Sequence, residues 1–218
     1  MTSVSLVNGF TPLLVGMILA DAVFAYFCGC FNGSVIVSKY ILRDDVRNHG
    51  SGNAGLTNFY RTFGGPLTAV VILTDVLKAV VAIELSVWLL GGTLSPAYAK
   101  YWAALFCLLG HMFPAMFAFK GGKGVLSGSV IILLMDWRIG LIIWGLFILC
   151  FVTTRYVSLG SITGGAIFPF LTAWIYRDPV LIVLGVLCGG LIVWQHRSNI
   201  HRIATGTERK FHFHRDRM

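Results

Sequence analysis

Lysine, arginine, histidine, asparagine and glycine gather in three short stretches of this chain: GSGNAGLTNFYR at 50–61, GHMFPAMFAFKGGKGV at 110–125 and HRSNIHR at 196–202. Fixed positive charge beside glycines that let backbone N–H groups turn outward is the chemistry of an anion site. In the first stretch, Gly50, Ser51, Gly52, Asn53 and Gly55 can set successive N–H groups around an anion, and Arg47 and Arg61 bracket them. Thr57, Asn58 and Arg61 follow at near-helical spacing, so a helix is predicted to begin here and aim its first N–H groups at the same point. In the second, Lys120, Gly121, Gly122, Lys123 and Gly124 follow an apolar segment that carries His111. Their spacing is not that of a nucleotide-phosphate loop: G-x-x-x-x-G-K-[ST] needs Gly at 117 and Ser or Thr at 124, where Phe117 and Gly124 stand. In the third, His196 and Asn199 are three apart and share a face if the helix continues, with Arg202 close by.

Taken singly, each stretch also reads as an ordinary basic or glycine-rich loop. Their convergence on one side, argued below, points to a site. What the sequence lacks narrows the chemistry. No His is followed five positions later by Asp, and neither G-x-S-x-G nor H-E-x-x-H occurs. The three stretches are almost free of carboxylates, so no metal site and no carboxylate base is expected. A site rich in cations and poor in bases suits reactants that bring their own phosphate. Ser158, after Thr154, Arg155 and Tyr156, could donate to an oxyanion. Asp75 and Lys78, at i and i+3, are expected to neutralise each other, while Asp21 and Glu84 receive no role. The five cysteines sit in apolar runs and read as small buried residues, without disulfide or zinc spacing.

The elements that must hold these groups are almost pure hydrocarbon. Of 218 residues, 56% are hydrophobic and 12% charged, half the ~25% of a soluble domain. Apolar segments run over 11–37, 67–90, 97–117, 125–135, 140–152, 158–176 and 180–194. The chain is therefore read as all-α, one polytopic membrane domain over 1–218 with seven transmembrane helices and a disordered tail at 211–218. The fourth and fifth segments are short, and joining them would put Asp136 and Arg138 near the middle of the bilayer. With seven spans, thirteen of the seventeen Lys and Arg fall on one side, against Lys100, Arg138 and Arg177 on the other, with Lys78 inside a span. That asymmetry sets the N-terminus outside and the C-terminus in the cytoplasm. All three stretches then share the cytoplasmic face. The net charge of +8 is read as this bias together with contact to anionic substrate or lipid headgroups, with no nucleic-acid partner. The first residues lack a basic region and cleavage site, so no removable signal is expected.

With those residues placed, the chain resembles the bacterial acyl-phosphate:glycerol-3-phosphate acyltransferases, the PlsY family. The matching motifs are GSGNAGLTN with Arg47 and Arg61, GHMFPAMFAFKGGKGV, TRYVSLGSI at 154–162, HRSNIHRIATGTE at 196–208, and TDVLKAVVA at 74–82. The resemblance implies a multi-pass enzyme of the bacterial inner membrane with seven spans. It would move a fatty acyl group from acyl phosphate to the 1-hydroxyl of glycerol 3-phosphate, giving lysophosphatidic acid and phosphate, the first acylation of phospholipid synthesis. It implies neither a metal nor another cofactor, and a chain that works as a monomer. Carried over by motif, Ser34, Arg47, Lys123, Ser158, His196 and Asn199 form the polar site, and 50–55 the phosphate loop. The chain departs from the family in reading GSVIVSKY where Gly-Ser-Ile-Pro is common, and in Ala54 and Leu56. A transporter of phosphorylated metabolites and a lipid-binding scaffold are the alternative classes.

Overall fold

The computed structural model describes residues 11–211, and every regular element among them is helical. Each of the seven apolar segments contains a long helix: α1 (Pro12–Cys30), α4 (Leu67–Leu90), α5 (Pro96–Met112), α6 (Val125–Met135), α7 (Trp137–Thr154), α8 (Val157–Tyr176) and α9 (Pro179–Gln195). Three short α-helices lie among and after them, α2 (Gly33–Ile36), α3 (Leu56–Thr62) and α10 (Arg197–Ala204), with a π turn at Val37–Ile41 and 3-10 turns at Val46–Asn48 and Ala115–Phe117. Local chemistry fixes the boundaries. Thr11 and Asp178 cap α1 and α9 with their side chains, each followed by proline at the first helical position, where its missing N–H costs nothing. Asp136 closes α6 and caps α7 by accepting from Arg138 N, so 125–135 and 137–154 are two helices, as their charges required.

Three helices, α1, α7 and α8, are long and apolar enough to cross a membrane by length and composition, and α9 with α10 forms a pair bent by 55°. In α4 the charges of Asp75, Lys78 and Glu84 interrupt the apolar run. The 11-residue α6 rises only ~16 Å, against ~30 Å of hydrocarbon. Large apolar side chains face outward, among them Leu13, Trp88, Val152, Phe170 and Trp174.

The first segment is not one helix, as the sequence reading had it. At Asn32 the backbone turns extended; its Oδ1 caps Val35 N, and its Nδ2 donates to Ala54 O at 2.9 Å. One buried amide thus ends α1, starts α2 and ties both to the loop at 50–55. Helix α1 packs on α4 and α5, α8 on α7 and α9, and α6 bridges the two groups through α4 and α7. The shared core holds Ile83, Tyr101, Met112, Ile131 and Phe168. The ends of α5, α7 and α9 and the beginnings of α6 and α8 meet at one pole, where the polar stretches lie. Of the predicted tail, Phe211 packs against Tyr60 and Phe151. The rest of that tail, and the N-terminal segment read for a signal, lie outside the described residues.

Candidate active site

A cavity of about 590 Å³ opens at that pole. It brings together Gly50, Ser51, Asn53, Gly55, Thr57, Asn58 and Arg61 of the first stretch with His111, Lys123 and Gly124 of the second. Ser158, His196, Asn199 and Arg202 also line it. Residues as far apart as 50 and 202 in sequence therefore face one volume.

The loop is built by Asn58, near the start of α3. Its Oδ1 accepts from Ser51 N at 3.1 Å, and its Nδ2 donates to the carbonyls of Val46, His49 and Asn53 at 3.0–3.1 Å. Asn58 is thus the frame around which 46–53 folds. Gly50 sits at φ +59 directly against it; an added Cβ would stand 2.4 Å from Asn58 Oδ1. A side chain there would push the frame apart. Gly55 caps α3 without a side-chain hydrogen bond, and Leu56, Thr57 and Asn58 of its first turn line the cavity.

Lys123 donates to Asn199 Oδ1, and Asn199 Nδ2 donates to Glu208 Oε1 at 2.7 Å. Ser158 Oγ donates to the same oxygen at 2.5 Å, and Arg202 Nε to Glu208 Oε2 at 2.7 Å. Burial works to raise the Glu208 carboxyl, but the hydrogen bonds from Ser158, Asn199 and Arg202 outweigh it and hold it below the ordinary glutamate value. Lys123 is pushed down to about 8, chiefly by burial and then by the positive charge of Arg202. His196 Nδ1 lies 2.7 Å from Ile192 O. A carbonyl only accepts, so Nδ1 carries the hydrogen, and in the neutral ring Nε2 is the acceptor.

Several predicted residues stand elsewhere. Arg47 is not in the cavity wall: its guanidinium is held by the Asp45 carboxylate at 2.7–3.2 Å and by the carbonyls of Phe117 and Lys120 at 2.8 and 3.3 Å. It clamps the first stretch to the second. Ser34 is wholly buried in α2 behind the loop, its Oγ without a hydrogen-bond partner among the described residues. The turn at Asn32 puts it there. Lys120 is exposed, with its carbonyl spent on Arg47. Gly52 makes the turn at φ +70, its N–H on His49 O at 2.9 Å. Gly121 and Gly122 fold back over the end of α5, their N–H groups on the carbonyls of Met112 and His111 at 3.1 Å. A Cβ on Gly122 would lie 2.3 Å from His111 Nε2, so this glycine exists for close packing.

Two carboxylates outside the three stretches also line the cavity: Asp75, which the sequence assigned only to an ion pair with Lys78, and Glu208, which it gave no role. Glu208 ends the motif HRSNIHRIATGTE, and its place in that motif was the available signal. The Asp75–Lys78 ion pair is present at 2.6 Å, and Lys78 Nζ also contacts His111 Nδ1 at 2.7 Å. Asp21 accepts from Ser86 Oγ at 2.6 Å, while Glu84 is exposed. The described residues contain no cluster of three or more His, Cys, Asp or Glu able to hold a metal ion.

An all-helical chain with an apolar exterior and a cation-lined cavity at one pole defines an integral membrane protein built to handle anionic groups. A family model described as glycerol-3-phosphate acyltransferase matches residues 19–206. A glycerol-3-phosphate acyltransferase of Clostridioides difficile is 40% identical over 192 residues, covering 87% of this chain and 93% of its own length. One of Thermoanaerobacter pseudethanolicus is 38% identical over 189 residues, again covering 87% and 93%. The crystal structure of PlsY (YgiH), an integral membrane glycerol 3-phosphate acyltransferase, in its glycerol 3-phosphate form, superposes with a TM-score of 0.80 at 31% identity, over 89% of this chain and 96% of that one. The lysophosphatidic acid form of PlsY gives 0.75 at 32% identity, over 89% and 95%. This chain belongs to the glycerol-3-phosphate acyltransferase family of the PlsY type.

Proposed function

We propose that the chain transfers a fatty acyl group from acyl phosphate to the 1-hydroxyl of glycerol 3-phosphate, releasing lysophosphatidic acid and inorganic phosphate. One observation carries the donor: the polar cavity shares Gly124, Val125, Ser129, Trp144 and Phe147 with a second, apolar cavity running away from it between the helices. A molecule with a phosphate head and a hydrocarbon tail fills both at once.

The donor phosphate lies between the loop at 50–55 and Lys123, with its carbonyl at the Lys123–Asn199 pair. Glycerol 3-phosphate enters the polar side and pairs with Arg202 and Arg61. Its hydroxyl oxygen attacks the acyl carbonyl carbon, forming the ester. The bond from that carbon to the phosphate oxygen breaks, and the hydroxyl proton passes to an oxygen of the departing phosphate. Positioning and fixed positive charge lower the barrier. His196 Nε2 orients the hydroxyl by accepting its hydrogen bond. His196→Asn, which retains a polar side chain, then keeps turnover within about tenfold; a loss on the order of 10³ makes His196 the base instead.

The seven long helices are read as seven spans, N-terminus outside and C-terminus cytoplasmic, on the distribution of basic residues. The cavity then opens to the cytoplasm of a bacterial inner membrane, where glycerol 3-phosphate is dissolved. A monomer is the proposed working unit, every side chain given a role here lining one cavity of one chain.

The test is phosphate release by purified protein in lipid, supplied with palmitoyl phosphate with and without glycerol 3-phosphate. Release that needs both, with an equal amount of lysophosphatidate, supports the reading. Acylation supported by palmitoyl-CoA and not by palmitoyl phosphate overturns the donor. Uptake of glycerol 3-phosphate into vesicles without turnover replaces the reaction with transport.

A further inference from the structure

We propose that the apolar cavity is a ruler: the acyl length the enzyme accepts is set where α6 and α8 close it, at Met135 and Phe168, and Gly128 keeps its middle open. The inference rests on the acyl-phosphate reading above and adds what limits the chain.

The cavity measures about 130 Å³ and is lined along one helix by Gly124, Gly128, Ile131 and Met135. Gly124 and Met135 lie eleven residues apart on α6, so at 1.5 Å per residue the lined length is ~16 Å. Helix α8 gives the same depth independently, since Val157 lines the polar cavity and Phe168, eleven residues on, the apolar one. That is about half the ~30 Å hydrocarbon thickness, the depth of one leaflet. The far end is firm. Phe168 is buried and stacks on Tyr101 at 5.7 Å between ring centres, and Tyr101 Oη meets Thr172 Oγ1 at 2.9 Å. Met135, the last residue of α6, is buried and lines the same cavity, unbranched and easily shortened.

Gly128 differs from the other glycines of the wall. A Cβ on Gly160 would stand 2.6 Å from the Phe147 ring, and one on Gly164 2.8 Å from Ile143 Cγ2, so these two are needed for helix packing. A Cβ on Gly128 meets nothing nearer than Ile192 Cδ1 and Leu108 Cδ2, both at 3.8 Å, an ordinary contact. A side chain added there enters the lumen and leaves the helix contacts in place. Leucine and alanine also suit the interior of α6 better than glycine does.

The experiment uses the full chain in lipid with glycerol 3-phosphate and, one at a time, decanoyl, lauroyl, myristoyl, palmitoyl and stearoyl phosphate. Each methylene held out of the cavity costs about fourfold in kcat/KM. Gly128→Leu is expected to shift the decanoyl-to-palmitoyl ratio at least tenfold towards the short donor. Gly128→Ala shifts it the same way by less, so poor folding of the leucine variant cannot hide the effect. Met135→Ala, which deepens the far end, raises the stearoyl-to-palmitoyl ratio about threefold or more. Active variants with the wild-type length profile overturn the ruler and leave the reaction standing. A wild-type protein that takes no acyl phosphate of any length overturns both.

Discussion

Two clusters around the polar cavity use nearly the same residue types for opposite ends. Lys78, Asp75 and His111 form the first, and Lys123, Asn199, Glu208 and Arg202, with His196 beside them, the second. Lys78 spends its three hydrogens on three acceptors, Asp75 Oδ1 at 2.6 Å, His111 Nδ1 at 2.7 Å and Phe31 O at 3.0 Å. Both side chains of that pair are nearly inaccessible, at 3% and 2% exposure. One cation meets one carboxylate, and the cluster is electrically closed. In the second, Arg202 is the cation bonded to the Glu208 carboxylate, Lys123 is held through Asn199, and Arg61 and Arg209 also face the cavity. That end keeps a surplus of positive charge and donors. Charge balance, rather than the presence of lysine, carboxylate or histidine, separates the cluster that holds helices together from the one proposed to receive a phosphate.

Lys78→Met leaves Asp75 buried without a counter-charge and is expected to cost about 3–5 kcal/mol of stability, seen as a large drop in thermal unfolding temperature in detergent. Asp75→Asn in the same chain should recover much of it. Lys123→Met, removing a cation from a surplus, should leave stability within about 1 kcal/mol of wild type. Equal losses for the two lysines would erase the distinction. Glu208→Gln comes next. It keeps an acceptor for Ser158 and Asn199 but loses the charged bond to Arg202, so kcat should fall about tenfold. Gly122→Ala presses a methyl on His111 Nε2 and should cost about 1–3 kcal/mol of stability, with kcat/KM reduced through the displaced Lys123 backbone.

The smallest effect is the most specific. With Lys123 titrating at about 8, kcat/KM should be flat below that pH and fall about tenfold per unit above it, as the ammonium loses its proton in the free enzyme. Lys123→Arg should abolish that alkaline limb, because a guanidinium stays charged. A limb that persists in the arginine variant assigns it to another group.

Much of this arrangement was legible in the sequence. The seven apolar segments appear as helices, the Asp75–Lys78 pair is formed, and the separation of α6 from α7 followed from Asp136 and Arg138. Most of the residues predicted to bind an anion do face one cavity. Burial and partner choice escaped, because both are set by packing between distant segments. Asp45 lies two residues from Arg47, but nothing near position 47 says that carbonyls seventy residues away would take the rest of its guanidinium. Nothing near 34 says that Asn32 would turn the chain and bury Ser34. Glu208 lies after a helix end, and only the fold brings its carboxylate back to Ser158 and Asn199.

On the proposed reading, the surplus of positive charge around Lys123 holds the phosphate from which the acyl group leaves. The most direct test is kcat/KM for palmitoyl phosphate in Lys123→Ala, measured beside its thermal unfolding. A fall of about 10²–10³, or ~3–4 kcal/mol, with unfolding unchanged is the predicted result. A loss of about threefold or less in a folded protein would contradict the account, since a preorganised cation at the transferring phosphate cannot be removed so cheaply.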